Sequence, residues 1–559
     1  MQQTKNIERT RAQESTNAIE KLYISMRHLF SRGFYKPMGV SGETLRKSLL
    51  LLRPEIYGSI AEERLELDGL IYVIERLPEG IEECQFINLT ADEGYKNSHF
   101  ETIIPAKRRR NCYRIDKDQM NIEITRGRSE IYDILTHLTF LFIESHKIQE
   151  RVSLNEGEDY IREWKHLENV VLHQKKISEK EVEVLIVHLG NILGRTFDEV
   201  SRIYKVFGTE ENPNKFFNLI YWLGKLAINE IEENKKRTVT FSSVLIEEIG
   251  HHIYGEIWAN NIKYILKEYN LLQRPIHIIS ANMHSVMNSI YAEGALPEEA
   301  NKHKNFELFQ LLSNSDSKPL QKKVKDYASK NGLIYVKDTS GTNINVQIID
   351  TNKINFDVST FKKESSLEEN SVIIVMDYAF GEQAYETMDE LLKPYHTGNE
   401  KVHLDVKSVS IMGKAGILEG GKGDIMIPSA HIFEGTADNY PFINELTKEN
   451  LENFGVKVFD GTMISVLGTS LQNKDLLKFF HDSTWNVIGL EMEGAHYQKA
   501  IQSASKIRGN ISEDVKVRYA YYASDNPLET GATLASGGLG MTGVTPTYAI
   551  TQRILEQIF

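Results

Sequence analysis

Two carboxylates flank a methionine in GLEMEGAHY, residues 489–497, where the apolar run VIGL ends and a helical pattern, HYQKAIQSA, begins. Glu491 and Glu493 therefore stand where a chain leaving a buried strand turns into a helix. An ionised carboxylate left unpaired in a dry place costs roughly several kcal/mol, so both need partners. A carboxylate accepts hydrogen bonds from both hydroxyls of a sugar diol, and Met492 offers the sugar a soft apolar surface. The internal alternative is capping, because acidic side chains at a helix N-terminus are favoured by the helix dipole.

Two further stretches carry the residue types of a site. IMGKAGILEGGKGDIMIP, residues 411–428, reads as a strand, a turn holding Gly413, Lys414, Ala415 and Gly416, a loop, and a second strand opened by Gly423-Asp424. Small residues let a ligand approach backbone N–H groups, though such a stretch also serves as a plain tight turn. YYASDNPL, residues 521–528, sets Ser524-Asp525 at the end of another apolar run. A partly desolvated aspartate holds a proton and can donate it; the alternative is an Asx turn before Pro527.

These residues need elements to position them. From Gln273-Arg274-Pro275 onward, strand-like and helix-like patterns alternate: IHIISA, GLIYV, NVQIID, SVIIVMDY, VKSVSIMG, GDIMIP, KVFDGTMISVL, WNVIGLEME and VRYAYYAS read as strands. Apolar strands alternating with helices imply an α/β sheet covered on both faces, with ligands at the carboxyl ends of the strands. Ser280, Asp377, Gly413, Glu491 and Ser524 fall at such ends. The first half reads as mainly α-helical, in IYDILTHLTFLFIESHKIQERV, ISEKEVEVLIVHLGNILGRTFDEVSRIY and FFNLIYWLGKLAINEIEENKK. A β-rich piece near 82–125, with CQFINLT and MNIEIT, interrupts it. The expected division is 1–272, helical and without an assignable role, and 273–559, the site-bearing domain.

In this order the three stretches resemble the nucleoside phosphorylase and nucleosidase superfamily: a G-x-x-G-x-L segment at Gly413–Leu418, a G-D-I-V-I-P-like strand at Gly423–Pro428, an M-E-G segment at Met492–Gly494, and S-D at Ser524-Asp525. The resemblance covers roughly 275–559. It implies a C-terminal phosphorylase-like mixed sheet flanked by helices. It also implies an enzyme that cleaves the N-glycosidic bond of a purine nucleoside or nucleotide. Glu493 would hold the ribose hydroxyls, Met492 would pack on the sugar, and Asp525, positioned by Ser524, would protonate the leaving base. Lys414 stands where phosphorylases often carry Ser or Thr. Its point charge suits a phosphate, free or on a nucleotide, or blocks a phosphate pocket. The arginines that phosphorylases use are not evident, and Asp377 and Glu382 make the neighbouring loop acidic. Hydrolysis is thus favoured over phosphorolysis, with phosphate retained as an alternative co-substrate, no other cofactor and no metal. His284, in SANMHS, and His431 sit beside the site loops. Tyr440 and Tyr522 are either base-stacking or packed aromatics. Glu491 is equally suited to a structural bond and to the ligand. The rival reading is a catalytically degenerate nucleoside- or nucleotide-binding sensor coupled to the helical domain. Family members are usually oligomers, which makes a homo-oligomer the expectation.

The 559 residues carry 65 basic and 78 acidic side chains, a net charge of −13, which does not suggest a nucleic-acid partner. Two cysteines, Cys84 and Cys112, suit a reducing compartment, and no long apolar run suggests a membrane span or a signal peptide. The expected location is cytoplasmic. Lys107–Arg110, with Arg114 nearby, reads as a solvated basic loop, with a phosphorylated ligand as the alternative. Glu248 and His251 have E-x-x-H spacing but no second copy of the motif, so they read as helix-face residues, as do His137, Glu144 and His146. GATLASGGLGMTGVTPTYAI, 531–550, reads as a loop over the site or as simple turns.

Overall fold

The structure is a computed structural model that describes residues 2–108, 110–154, 159–173, 177–210, 212–303, 306–361, 370–398, 400–436, 438–529 and 539–559, with side chains from residue 11 onward. It is mixed helix and sheet, 51% helical and 19% strand. The chain forms two compact units. The first holds residues 1–125, 130–251 and 470–473; the second holds 126–129, 252–469 and 474–559. The main passage between them thus falls one helix earlier than the division expected at 272/273, and two short segments depart from it. Among the described residues no helix is long and apolar enough to cross a membrane.

In the first unit, helices accompany a six-stranded sheet ordered Phe34–Tyr35, Thr238–Phe241, Phe86–Thr90, Gln119–Glu123, Cys112–Asp116, Thr102–Ile103. CQFINLT and MNIEIT supply two of its inner strands. The pattern over 177–204 is two helices, because Glu179–Leu193 stops at Gly194 and Thr196 closes a capping box on Phe197–Phe207. Two members of the basic run, Arg108 and Arg110, are drawn from solvent into ion pairs, while Lys107 is exposed. Arg110 is buried against Glu130 and Asp133 at 3.3 and 3.4 Å, and Arg108 reaches Asp133 at 3.3 Å. Arg109 lies outside the described residues. Burying these cations is tolerable because each is paired. His137 faces Asp133 (3.3 Å), His146 faces Glu230 (3.4 Å) and Glu144 pairs with Lys147 (2.8 Å), so all three sit in internal pairs on the helix Gly127–Val152.

The second unit is a ten-stranded mixed sheet. Its strands are β1 (Ile276–Ser280), β2 (Leu333–Val336), β3 (Val346–Asp350), β4 (Val372–Met376), β5 (Val406–Ile417), β6 (Ile425–Phe433), β7 (Asn439–Pro441), β8 (Val458–Ser465), β9 (Val487–Glu491) and β10 (Lys516–Asp525). The nine runs read as strands in the sequence all form strands here, β7 being the addition. The order is β2-β3-β4-β1-β5-β9-β8-β6-β7, with β10 paired to both β5 and β6. β5, β9, β8, β6 and β10 therefore close on one another as a small barrel, from which β1, β4, β3 and β2 extend as an open wing. Closure requires the strands to bend. Register shifts lie at Ala415/Gly416, Pro428/Ala430 and Thr462/Met463, each on a barrel strand.

Alternation along the strands feeds two cores. Ile276, Ile278, Ile374, Val409 and Ile411 pack with Trp258 and Ile262 of helix α1 (Ile253–Glu268), Met388 of α2 (Gln383–Leu391) and Tyr497 of α3 (Gly494–Gln502). Ile279, Ile373, Val375, Met412 and Ala520 form the opposite core, beneath the helices Met283–Ala295, Lys318–Lys330 and Val544–Glu556. A sheet covered on both faces leaves the strand ends as the place where polar side chains meet a ligand.

Candidate functional site

The two glutamates of the 489–497 stretch have different surroundings. Glu491, the last residue of β9, is buried and takes the start of α3 onto its carboxylate. Its Oε2 accepts the N–H groups of Glu493 and Gly494, and its Oε1 accepts from Ser465 Oγ. Ser465 Oγ also accepts the Ala495 N–H at 2.9 Å. Three otherwise orphaned donors of the helix start are satisfied this way. Both oxygens of Glu491 are engaged within the chain, the structural bond that is one of its two readings. Gly494 is required here, because a Cβ would stand 2.4 Å from the His431 ring and 2.5 Å from the Tyr521 hydroxyl.

Glu493 is the half-buried member. Its Oε1 accepts the Gly381 N–H at 2.9 Å. Burial, then the charge of Glu491, push its carboxyl up to about 8, against the pull of the Gly381 N–H. Gly381 has φ +56, which favours glycine, and a Cβ there would stand 3.9 Å from the Met492 methyl. Met492 thus borders the same loop, 377–382.

Asp525 closes β10. It is 9% exposed, with Oδ1 held by Ser524 Oγ, and Ser524 Oγ lies 3.1 Å from the Ala415 carbonyl. Oδ2 is buried and has no hydrogen-bond partner among the described residues. Burial raises its carboxyl above the usual range, with Ser524, Lys414 and Lys422 pulling the other way. In register, Gly416 of β5 faces Asp525 on one side and Leu490 on the other. With strands about 4.8 Å apart, two strand spacings separate the Asp525 backbone from that of Leu490, just before Glu491. The loop 418–424 is tied to the same end: the Gly423 N–H reaches the Ala523 carbonyl at 2.9 Å, and Asn526 Nδ2 reaches the Gly420 carbonyl at 3.0 Å.

Gly413, Lys414, Ala415 and Gly416 are not in a turn. They lie inside β5, paired to Tyr521 through Asp525, with the bulge at Ala415/Gly416 supplying the irregularity. The small residues still open the backbone at this point: a Cβ on Gly413 would meet the Tyr378 and Tyr521 rings only at 3.8–3.9 Å. Lys414 projects into a cavity of about 410 Å³ shared with Asn282, His284, Asn288, Gln321 and Tyr522. Among the described lining residues Lys414 is the one charged side chain, and neither Asp525 nor Glu493 contributes to the lining. The cavity is therefore a neighbour of the acidic pair, linked to it through the charge of Lys414 on Asp525. His284 is exposed on the rim. Tyr440 is half-buried in ring contact with Phe433, which also meets His496. Tyr522 is buried, its hydroxyl 3.3 Å from that of Tyr378. His431 is a core residue, stacked on Phe442 and held down to about 3 by burial. Of 531–550, residues 531–538 lie outside the described residues, and 544–550 begin the helix Val544–Glu556 rather than a loop.

Sequence reading places a glycine turn between strand and helix around Gly381 but does not show the contact of Gly381 with Glu493, and it misses Glu434. Gly381 belongs to AFGEQ, whose glycine marks a turn but says nothing of its partner. Glu434 follows β6 and is buried, with Oε2 accepting the Leu467 N–H at 3.2 Å and Oε1 without a partner among the described residues. Burial pushes it up to about 8. An isolated glutamate after IPSAHIF carries no such signal.

Several solved structures are similar to one half of the chain. The 5'-methylthioadenosine/S-adenosyl homocysteine nucleosidase of Campylobacter jejuni matches at 10% identity and a TM-score of 0.31, covering 51% of this chain and 99% of that one. Futalosine hydrolase of Helicobacter pylori matches at 13% identity and 0.29, again over 51% and 99%. Uridine phosphorylase isoform 2 of Schistosoma mansoni matches at 12% identity and 0.30, over 55% and 90%. A comparison with curated proteins finds no match. The chain belongs to a family of unknown function, DUF6909, whose family model matches residues 43–301 and 295–559.

Proposed function

We propose that the second unit cleaves the N-glycosidic bond of a purine nucleoside or nucleotide, with water as the favoured acceptor. The observation that carries this reading is Asp525, a buried strand-end carboxyl whose Oδ2 has no hydrogen-bond partner among the described residues and whose burial raises it above the usual carboxylate range. In the proposed step the C1′–N bond breaks and its electron pair passes to the base, which takes the Asp525 proton. Water adds to C1′, and the proton it releases returns to Asp525 and restores the acid. Glu493 accepts from the ribose hydroxyls beside Met492. The carboxylates near the sugar favour the positive charge that develops on it. Ser524 positions Asp525. The cavity beside Lys414 suits the substrate's own phosphate better than a free phosphate co-substrate, since one ammonium is its only charge among the described lining residues.

A sensor that binds without turnover draws on one observation. Among the described lining residues of the cavity beside Lys414 there is no carboxylate, so a ligand held there meets no acid such as Asp525 or Glu493. Incubation with a panel of purine nucleosides and 5′-nucleotides, with and without phosphate, separates the readings. Base released without phosphate supports the hydrolase. Release only with phosphate makes it a phosphorylase. Binding without release leaves the sensor.

A further inference from the structure

Residues Arg126–Ser129 come from the first half of the sequence yet belong to the second compact unit. Ser129 Oγ accepts the Glu382 N–H at 2.8 Å, and Arg128 Nη1 pairs with Glu382 Oε1 at 3.1 Å. The fit against the neighbouring glycine is close, since a Cβ on Gly381 would stand 2.4 Å from Ser129 Oγ. Gly127 backs onto the buried Glu386, whose carboxyl oxygens would lie 3.0 Å from a Cβ there. The turn held from this side is the one that presents the Gly381 N–H to Glu493 Oε1.

We propose that Ser129 and Arg128 are positioning residues for Glu493. They fix the Gly381–Glu382 turn so that its N–H meets the carboxylate, and a domain cut from the sequence at residue 252 would lack this support. The link to ribose binding rests on the reading of Glu493 given above; the positioning itself does not.

The physical consequence is a change in how Glu493 holds its proton. The Gly381 N–H stabilises the carboxylate and opposes the upward push of burial and of Glu491. Loosening the turn removes that stabilisation, so protonation is favoured further. The other charged or titratable groups in play are Glu382, Arg128, Tyr497 and Tyr521.

The test uses the full-length chain with ¹³C-labelled glutamate carboxyls, Glu493 being assigned from the signal lost in Glu493→Gln. The Glu493 midpoint is followed by pH titration in the wild type, Ser129→Ala, Arg128→Gln and Arg128→Lys. Ser129→Ala and Arg128→Gln are expected to move it upward from about 8, and Arg128→Lys, which keeps the cation, to move it less. Adenosine affinity, measured by titration calorimetry, is expected to fall about two- to tenfold in the first two variants, the loss of one hydrogen bond. Midpoints equal to the wild type in both Ser129→Ala and Arg128→Gln overturn the proposal. If Ser129→Ala does not fold, Arg128→Gln decides alone. A shifted midpoint in a protein that binds neither adenosine nor AMP upholds the positioning role and removes the ribose reading.

Discussion

Asp525 and Glu493 are both pushed toward protonation by burial, but the proposed reaction makes opposite demands on the two protons. Asp525 must keep its proton to donate it; Glu493 accepts hydroxyl hydrogens best when it has lost its own. Asp525→Asn keeps the shape and removes the acid, so turnover is expected to fall about 10²- to 10⁴-fold, with substrate affinity little changed, in steady-state and binding measurements together. For Glu493 the sign follows from its raised value. Below about 8 it is protonated, so riboside affinity is expected to weaken as pH falls through about 8, and Glu493→Gln should abolish that dependence in calorimetric titrations. The adjacent Glu491 separates structure from binding. Glu491→Ala strips the start of α3 of its acceptor and is expected to cost about 1–3 kcal/mol of stability, read from denaturant unfolding. Glu493→Ala is expected to leave stability nearly unchanged while weakening riboside binding.

At the scale of elements, the strands were legible because each is a short apolar run bounded by polar residues, the pattern of a sheet buried on both faces. The glycine-rich stretch was misread for a physical reason. Gly413 and Gly416 look like turn residues, but β5 continues through them because β10 and β9 supply hydrogen-bond partners there, and sequence does not show neighbours. Glu491 and Glu493 were legible as a pair but not as a division of labour, which depends on Ser465 and Gly381 meeting them from elsewhere in the chain. The Ser129–Glu382 contact, some 250 residues apart in sequence, left no local pattern at all. Gly494 carries a prediction at this scale. Gly494→Ala forces a methyl against His431 and Tyr521, and overpacking of this kind is expected to cost about 1–3 kcal/mol, measurable by denaturant unfolding.

Over the whole molecule, buried carboxyls set the pH response. Glu386, Glu434 and Glu493 are raised to about 8 and Glu491 to about 7, so the folded second unit holds protons that the unfolded chain releases near the ordinary glutamate value. Their contribution is full below that value and is lost as pH rises through about 7 to 8. His277, His431 and His496 act in the other sense, being held down to about 4, 3 and 4, and their opposing effect is confined to pH below about 6.5. Thermal stability is therefore expected to fall between pH 6.5 and 8.5, and Glu434→Gln, which cannot ionise, should make the fall shallower in melting curves. The central claim, that the second unit breaks an N-glycosidic bond with Asp525 as the acid, is tested most directly by chromatographic detection of free base. Wild type and Asp525→Asn are each incubated with purine nucleosides and 5′-nucleotides. Free base and ribose or ribose phosphate from the wild type, and almost none from Asp525→Asn, is the predicted result. Equal release by both proteins, or none from a folded wild type on any substrate, contradicts it.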